Sequence, residues 1–286
     1  MSYIRGQQLS GRDCQLDLTQ PCIMGVLNIT PNSFSDGGQY LNTEMAVQQG
    51  LVMQQEGAAI LDIGGESTKP GSFPVSAEEE LARVIPVIEG LRQETDLPLS
   101  IDTSKALVAQ QAIAAGANYI NDISGLNFDP EMSTVAAETG AGLFLMHTRG
   151  RPEVMQQQTE YQNLLAEVIS SLQRSIDLAL AAGVERCRLA VDPGIGFGKS
   201  VLGNLDLLRH LDQLQQLDCP VLLGTSKKSF LGVILDQADP QERLFGTLAT
   251  IVAGVSQGVQ IFRVHDVRPA REAALVAWAI REQQLP

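Results

Sequence analysis

The chain predicts a (β/α)8 barrel preceded by a short N-terminal β-hairpin, and three observations carry that prediction. Eight short apolar runs each stop on, or just before, a side chain that hydrogen-bonds or carries charge. Helix-length segments separate them, as strand-helix alternation in a parallel sheet requires. The 286 residues exceed the roughly 250 typical of one such barrel by no more than a small extension, so one domain spanning 1–286 is expected.

Within an extension spanning 1–20, residues 8–20 read as the hairpin, with Leu9, Leu16 and Leu18 apolar and Ser10-Gly11-Arg12-Asp13 as its turn, placed to close the barrel bottom. The strand runs are 24–28, 59–62, 98–102, 117–122, 143–147, 189–192, 221–228 and 261–265. Helical patterning gives 43–57, 77–93, 104–115, 130–139, 160–182, 203–216, 240–257 and 267–283. Ser76 ahead of three glutamates marks one helix start, and Asp129-Pro130 puts a proline at a first helical position. Glycines 57, 116, 140, 183 and 258 stand where a helix ends on a left-handed residue.

A net charge of −13 argues against a general nucleic-acid or anionic-membrane surface, so a bound anion must meet a local basic cluster, for which Lys227, Lys228 and Arg263 are candidates. No run approaches the roughly 20 apolar residues of a membrane span, residues 1–20 hold no apolar signal region, and the cytoplasm is the expected compartment. Cys14, Cys22, Cys187 and Cys219 form no C-x-x-C or metal spacing and read as reduced thiols.

In such a barrel the chemistry sits in the loops after the strands. The first, 28–38, sets Phe34 among small polar residues; Thr30, Ser33, Ser35 and Asp36 offer oxygens, and Asn28 offers a neutral carbonyl oxygen to a hard cation such as Mg²⁺. The second, 62–71, has Gly64-Gly65 beside Asp62 and Glu66; Asp62 reads as functional, and Glu66 reads equally as a functional group or as part of a buried ion-pair network. The third, 192–200, ends in Gly-Lys-Ser, but Pro193 occupies the position a P-loop needs as glycine, and its glycines alternate instead of spelling G-x-G-x-x-G. It reads as a rigid loop that holds Asp192 at the mouth and leaves room beside Phe197. Sorted by chemistry, Asp102, Asn121 and Asp192 are acceptors suited to a flat heterocycle bearing N–H groups, whereas Lys228, Arg263 and His265 are donors suited to phosphate. His147, with no metal-spaced partner, reads as a hydrogen-bonded structural residue at the rim; Asn118 and Asp122 read as caps or turn formers.

Residues 24–38, 62–71, 100–105, 120–123, 192–199, 226–232 and 263–267 together resemble, in order and spacing, the successive signatures of bacterial dihydropteroate synthases, over almost the whole chain. The resemblance implies a pterin-binding TIM barrel, homodimeric, that joins 6-hydroxymethyl-7,8-dihydropterin diphosphate to 4-aminobenzoate with Mg²⁺ and releases diphosphate by an SN1-like substitution. It implies catalytic roles for Asp102, Lys228 and Arg263. Asp102, Asn121, Asp192 and Lys228 would hold the pterin. Asn28 through Mg²⁺, with Thr68, Arg263 and His265, would hold the diphosphate. Phe34, Lys69, Pro70, Phe197 and Ser229 would form the aminobenzoate pocket, which is also where sulfonamides would bind. The chain departs from the family pattern at Lys69 and Lys227, where arginine is usual, and at Ser124-Gly125, where a bulkier basic residue is common; lysine keeps the charge and loses the planar fork. Two other readings are a methyltetrahydrofolate–corrinoid methyltransferase, which would need no diphosphate cluster, and a non-catalytic pterin-binding paralogue, which should have lost the diphosphate ligands.

Overall fold

The computed structural model describes residues 8–29, 39–69 and 71–286, with backbone alone for 39–42. Eight parallel strands follow the hairpin strands β1 (Gln8–Ser10) and β2 (Gln15–Asp17): β3 (Cys22–Asn28), β4 (Ile60–Gly64), β5 (Leu99–Asp102), β6 (Tyr119–Asp122), β7 (Gly142–Met146), β8 (Leu189–Asp192), β9 (Leu222–Leu223) and β10 (Ile261–Val264). They hydrogen-bond in the order β8-β7-β6-β5-β4-β3-β10-β9. A parallel bridge between Val191 and Val221, with Val191 N donating to Pro220 O at 2.9 Å, joins the two ends and makes the sheet a barrel.

Period-two alternation divides the strands' apolar residues between two cores. Ile23, Leu61, Ile63, Leu99, Ile101, Ile120, Leu143, Leu145, Val191 and Phe262 face outward against the surrounding helices. Met24, Ile60, Tyr119, Phe144, Ala190, Leu222 and Ile261 face inward and pack with Leu9, Leu16 and Leu18 of the extension. The hairpin therefore plugs the N-terminal end of the barrel, as expected, although Ser10 is the last residue of β1 and the loop is 11–14. It is fastened by polar groups that an apolar interior would otherwise leave orphaned. Tyr119 Oη donates to Leu9 O at 2.8 Å, and Asn118 exchanges bonds with Arg12, its Nδ2 donating to Arg12 O at 2.8 Å. Gly11 and Gly142 leave the space that the Tyr119 ring fills: a Cβ on either would lie within 2.6 Å of that ring.

The helices that follow the strands are α1 (Gln39–Gln55), α2 (Ala77–Glu94), α3 (Ala106–Ala115), α4 (Met132–Thr139), α5 (Leu164–Ala181), α6 (Val201–Arg209), α7 (Ser229–Leu235), α8 (Leu244–Ser256) and α9 (Val267–Glu282). Ser76 caps α2 as expected, its Oγ accepting from Glu79 N at 3.2 Å. Asp129 serves two helices: its Oδ1 accepts from Glu131 N at 3.0 Å just ahead of α4, and its Oδ2 accepts from Ala106 N, the first residue of α3, at 2.8 Å. The predicted helix 203–216 breaks after Arg209 into a 3-10 segment, 240–243 is also 3-10, and the strand expected over 221–228 shrinks to two residues before α7. Glycines 57, 116, 140, 183 and 258 all adopt positive φ at helix ends.

Replacing Tyr119 by Phe removes a buried donor and strands the Leu9 carbonyl, so urea unfolding should show a loss of about 1–2 kcal/mol at unchanged slope. An unaltered midpoint would mean the hairpin is not tied to the barrel through this bond.

Candidate active site

The same alternation that fills the barrel bottom with apolar side chains turns Asn28, Asp62, Gly64, Asp102, Asn121, Asp192 and Arg263 inward at the opposite, C-terminal end. Arg263 on β10 occupies the centre. Its Nε donates to Asp62 Oδ2 at 2.6 Å and its Nη2 to Asp102 Oδ2 at 2.6 Å, across two neighbouring strands. Asn121 Nδ2 donates to the same Asp62 oxygen at 2.9 Å, which leaves the Asn121 carbonyl oxygen facing elsewhere as an acceptor. Asp62 is 0% exposed, a position that a carboxylate occupies only when a cation accompanies it. The second oxygens of Asp62 and Asp102 are buried and have no partner among the described residues. Burial pushes the Asp102 carboxyl up to about 7 against the pull of Arg263, and Asp62 reinforces the rise. Arg263 stays protonated, because Asp62 and Asp102 outweigh the cost of burying its charge.

Opposite this cluster stands Asp192. Its Oδ1 accepts from Gly194 N at 2.6 Å, and its carboxyl is raised by burial and drawn back by Lys228. Lys228 Nζ donates to Ile195 O and lies 4.7 Å from the centroid of the Phe197 ring. Burial lowers this ammonium to about 8, with Asp192 opposing and Arg263 adding to the shift. Gly224 keeps the space between the two sides open: a Cβ there would sit 3.8 Å from Lys228 Nζ, 3.8 Å from Arg263 Cβ and 3.9 Å from Asp192 Oδ2. Lys228 is aimed inward because Lys227 takes a left-handed conformation at φ 59°, a strained one for lysine. Lys227 is anchored there by its N–H to Thr247 Oγ1 at 3.1 Å and its Nζ to Gln241 at 2.8 Å and Asp266 at 3.1 Å. Lys227 is therefore spent on holding the loop, which removes it from the basic cluster the sequence offered.

Other expected groups divide likewise. His265 Nδ1 lies 2.9 Å from Ser226 Oγ, and burial with the Arg263 charge lowers the imidazole to about 4, so it is neutral at neutral pH. Thr68 is half-buried in the second loop, and Lys69 is exposed there, near enough for its charge to act on His265. Ser229 is exposed at the start of α7, and Phe197 is buried with Ile123, Met146 and Met155. Phe34 and Pro70 lie outside the described residues, as do Thr30, Ser33, Ser35 and Asp36. Glu66 belongs to an ion-pair network instead of the mouth: its Oε2 accepts from Lys105 Nζ at 2.5 Å and from Val75 N at 3.0 Å, and the same lysine reaches Glu80 at 2.6 Å. Asp122 is a turn former, its carboxylate accepting from Ser124 N and Leu126 N.

Two features escaped the pattern. The loop 147–163 lies across the mouth, with Pro152 O accepting from Gly71 N at 3.0 Å on one side and Gln156 Nε2 donating to Gly196 O at 2.8 Å on the other. Lys199, in the loop whose glycine spacing fits no P-loop, is 3% exposed and bonds His147 Nδ1 at 2.9 Å. The one available signal was a lysine closing a loop otherwise free of charge behind an inward acid. His147 is structural, as expected, and burial with the Lys199 charge lowers its imidazole to about 3. Lys199 as donor makes Nδ1 the acceptor and fixes the proton on Nε2.

A neutral imidazole depressed from 6.5 to about 3 contributes stability that is complete above pH 6.5 and is lost as pH falls towards 3, because unfolding takes up a proton in that window. His147→Asn should therefore flatten the acid side of the stability curve by about 2 kcal/mol between pH 6.5 and pH 5. Curves for the two proteins that stay parallel there would contradict the buried, neutral assignment.

With this geometry established, the likeness to known proteins is direct. A family model described as pterin binding enzyme matches residues 24–265. A dihydropteroate synthase of Synechocystis sp. is 49% identical over 258 residues, covering 90% of this chain and 89% of the relative, and one of Bacillus subtilis is 47% identical over 246 residues, covering 86% and 84%. Among solved structures, the Yersinia pestis dihydropteroate synthase in a sulfonamide drug complex superposes with a TM-score of 0.90 at 44% identity, covering 96% of this chain and 99% of that one. The Xanthomonas albilineans dihydropteroate synthase with 4-aminobenzoic acid gives 0.90 at 42% identity, covering 98% and 100%. This chain, a (β/α)8 barrel with a polar mouth, belongs to the pterin binding enzyme family, among the dihydropteroate synthases.

Proposed function

We propose that the chain condenses 6-hydroxymethyl-7,8-dihydropterin diphosphate with 4-aminobenzoate to give 7,8-dihydropteroate and diphosphate, within one domain spanning residues 1–286. The observation that supports this most is a mouth whose buried acceptors and cations are interlocked through Arg263 and still leave unpartnered oxygens on Asp62 and Asp102. A flat pterin presents amino and ring N–H groups that suit Asp102, Asn121 and Asp192. The outer N–H groups of Arg263, with His265 and Thr68, suit the diphosphate.

The residues favour Mg²⁺ carried with the diphosphate. Among the described residues no group of three or more His, Cys, Asp or Glu could hold a metal on its own, but Asn28 supplies a neutral oxygen beside Gly64, and Mg²⁺ binds through one or two protein oxygens plus phosphates. Bound there, it would neutralise charge on the diphosphate. Arg263 stabilises the same charge as the C–O bond breaks and the electron pair leaves with the diphosphate. Asp192 and Asn121 orient the ring so that its electrons support the methylene cation. The arylamine nitrogen then forms the new C–N bond and releases its proton, with Phe197 and Lys228 walling the approach and Ser229 and Lys69 at its rim. No enzyme nucleophile is required.

The assembly is proposed to be a homodimer, since α6, α7 and α8 pack together and expose Leu202, Val233, Ile234 and Phe245, the last at 81%. Among the described residues no helix is long and apolar enough to cross a membrane, which agrees with the proposed cytoplasmic location.

Diphosphate release should need both substrates and Mg²⁺; folded protein that binds pterin and releases none would refute the reading. Asp192→Asn, which replaces a charged acceptor by a group with a misplaced donor, should weaken pterin binding by about 1.5–3 kcal/mol in calorimetry, and an unchanged affinity would remove Asp192 from the pterin site.

A further inference from the structure

Lys199 is a buried lysine that the reaction does not use, lowered to about 7 by burial against the pull of Asp192, and its contacts all lie on one wall of the site. It donates to Phe197 O at 2.9 Å and approaches His147 at two atoms, Nδ1 at 2.9 Å and the carbonyl oxygen at 3.4 Å. His147 in turn donates its backbone N–H to Asp192 O at 2.9 Å, continuing the β7–β8 pairing past the strand end. The side chain thus spans the end of β7 and the turn of the loop 192–200, whose outer side Tyr161 holds by donating to Gly198 O at 2.9 Å. Three glycines in that loop have positive φ, and Gly194 is so close to His147 O that a Cβ would lie 1.9 Å from it. A loop this poor in side chains has little packing to set its path, and Lys199 supplies internal hydrogen bonds in its place. A merely space-filling role at this depth suits an apolar residue, which incurs no desolvation of charge.

We propose that Lys199 is a positioning residue for the aminobenzoate half-site: by tying the Phe197 carbonyl to His147 it sets the Phe197 ring against Lys228. The proposal rests on the reading of Phe197 and Lys228 as the aminobenzoate wall. It separates the two substrates by degree, because the ring-facing carboxylate of Asp192 is stabilised first by Lys228 and by the Gly194 N–H, with Lys199 a weaker charge behind them.

The experiment compares the unaltered protein with Lys199→Met, His147→Leu and His147→Asn. It measures KM for 4-aminobenzoate, kcat, and the calorimetric Kd for 6-hydroxymethyl-7,8-dihydropterin without diphosphate. Turnover by the unaltered protein establishes the parent reading independently of every variant. Lys199→Met should raise KM for 4-aminobenzoate at least tenfold while the pterin Kd stays within threefold. His147→Leu removes one acceptor and should shift the same KM threefold or more, and His147→Asn, which keeps an acceptor near the Nδ1 position, should restore it. The histidine variants carry the test if Lys199→Met does not fold. An aminobenzoate KM within threefold in Lys199→Met or unmoved in His147→Leu, a pterin Kd that worsens in parallel, or failure of asparagine to restore the histidine variant would overturn the proposal.

Discussion

Arg263 bridging Asp62 and Asp102 is the constraint on which the mouth of the barrel depends. Two carboxylates from adjacent strands sit in an interior that admits neither alone, and a single guanidinium from a third strand bonds both at 2.6 Å. A lysine could not do this, since its point charge lacks the fork that reaches two acids at fixed separation. The arrangement leaves each acid one unbonded oxygen and leaves Arg263 further N–H groups, so the cluster is stable enough to exist and incomplete enough to bind. Across the cavity Asp192 is stabilised by Lys228 and more weakly by Lys199, so neither side of the mouth holds an acid without a basic group beside it.

The fold divides stability from function along one axis. At the N-terminal end the inward residues are Tyr119, Phe144, Leu222 and Ile261, sealed by the hairpin; at the C-terminal end the next inward positions on the same strands are Asn121, Met146, Gly224 and Arg263. A strand two residues out of step would exchange a plug residue for a site residue, so register is pinned at both ends. This division is what lets the loops differ in length and content over a fixed frame.

Much of this was legible in the sequence because period-two and period-3.6 patterns are local. Strand ends, helix order and the inward acids and donors follow from them. Two kinds of feature were not local. The last strand closes beside the first, and only that closure brings Arg263 to Asp62, 201 positions away, so the donors and acceptors that chemistry separates into two sides are joined in space. Lys227 and Lys228 are adjacent in sequence and alike in charge, yet a left-handed backbone at Lys227 sends one to Asp266 and the other into the cavity. Glu66 shares the glycine-rich second loop with Asp62 and is claimed by Lys105, a partner 39 positions away.

The central claim is that Arg263 serves the diphosphate while it holds the acids in place. Calorimetric titration of the unaltered protein and of Arg263→Ala, each with pterin diphosphate and with the diphosphate-free pterin, tests it most directly. Because the acids lose their shared partner, both ligands should weaken, but the diphosphate-bearing one should lose at least tenfold more affinity. Equal losses would show that Arg263 only organises the acids and that the diphosphate is held elsewhere.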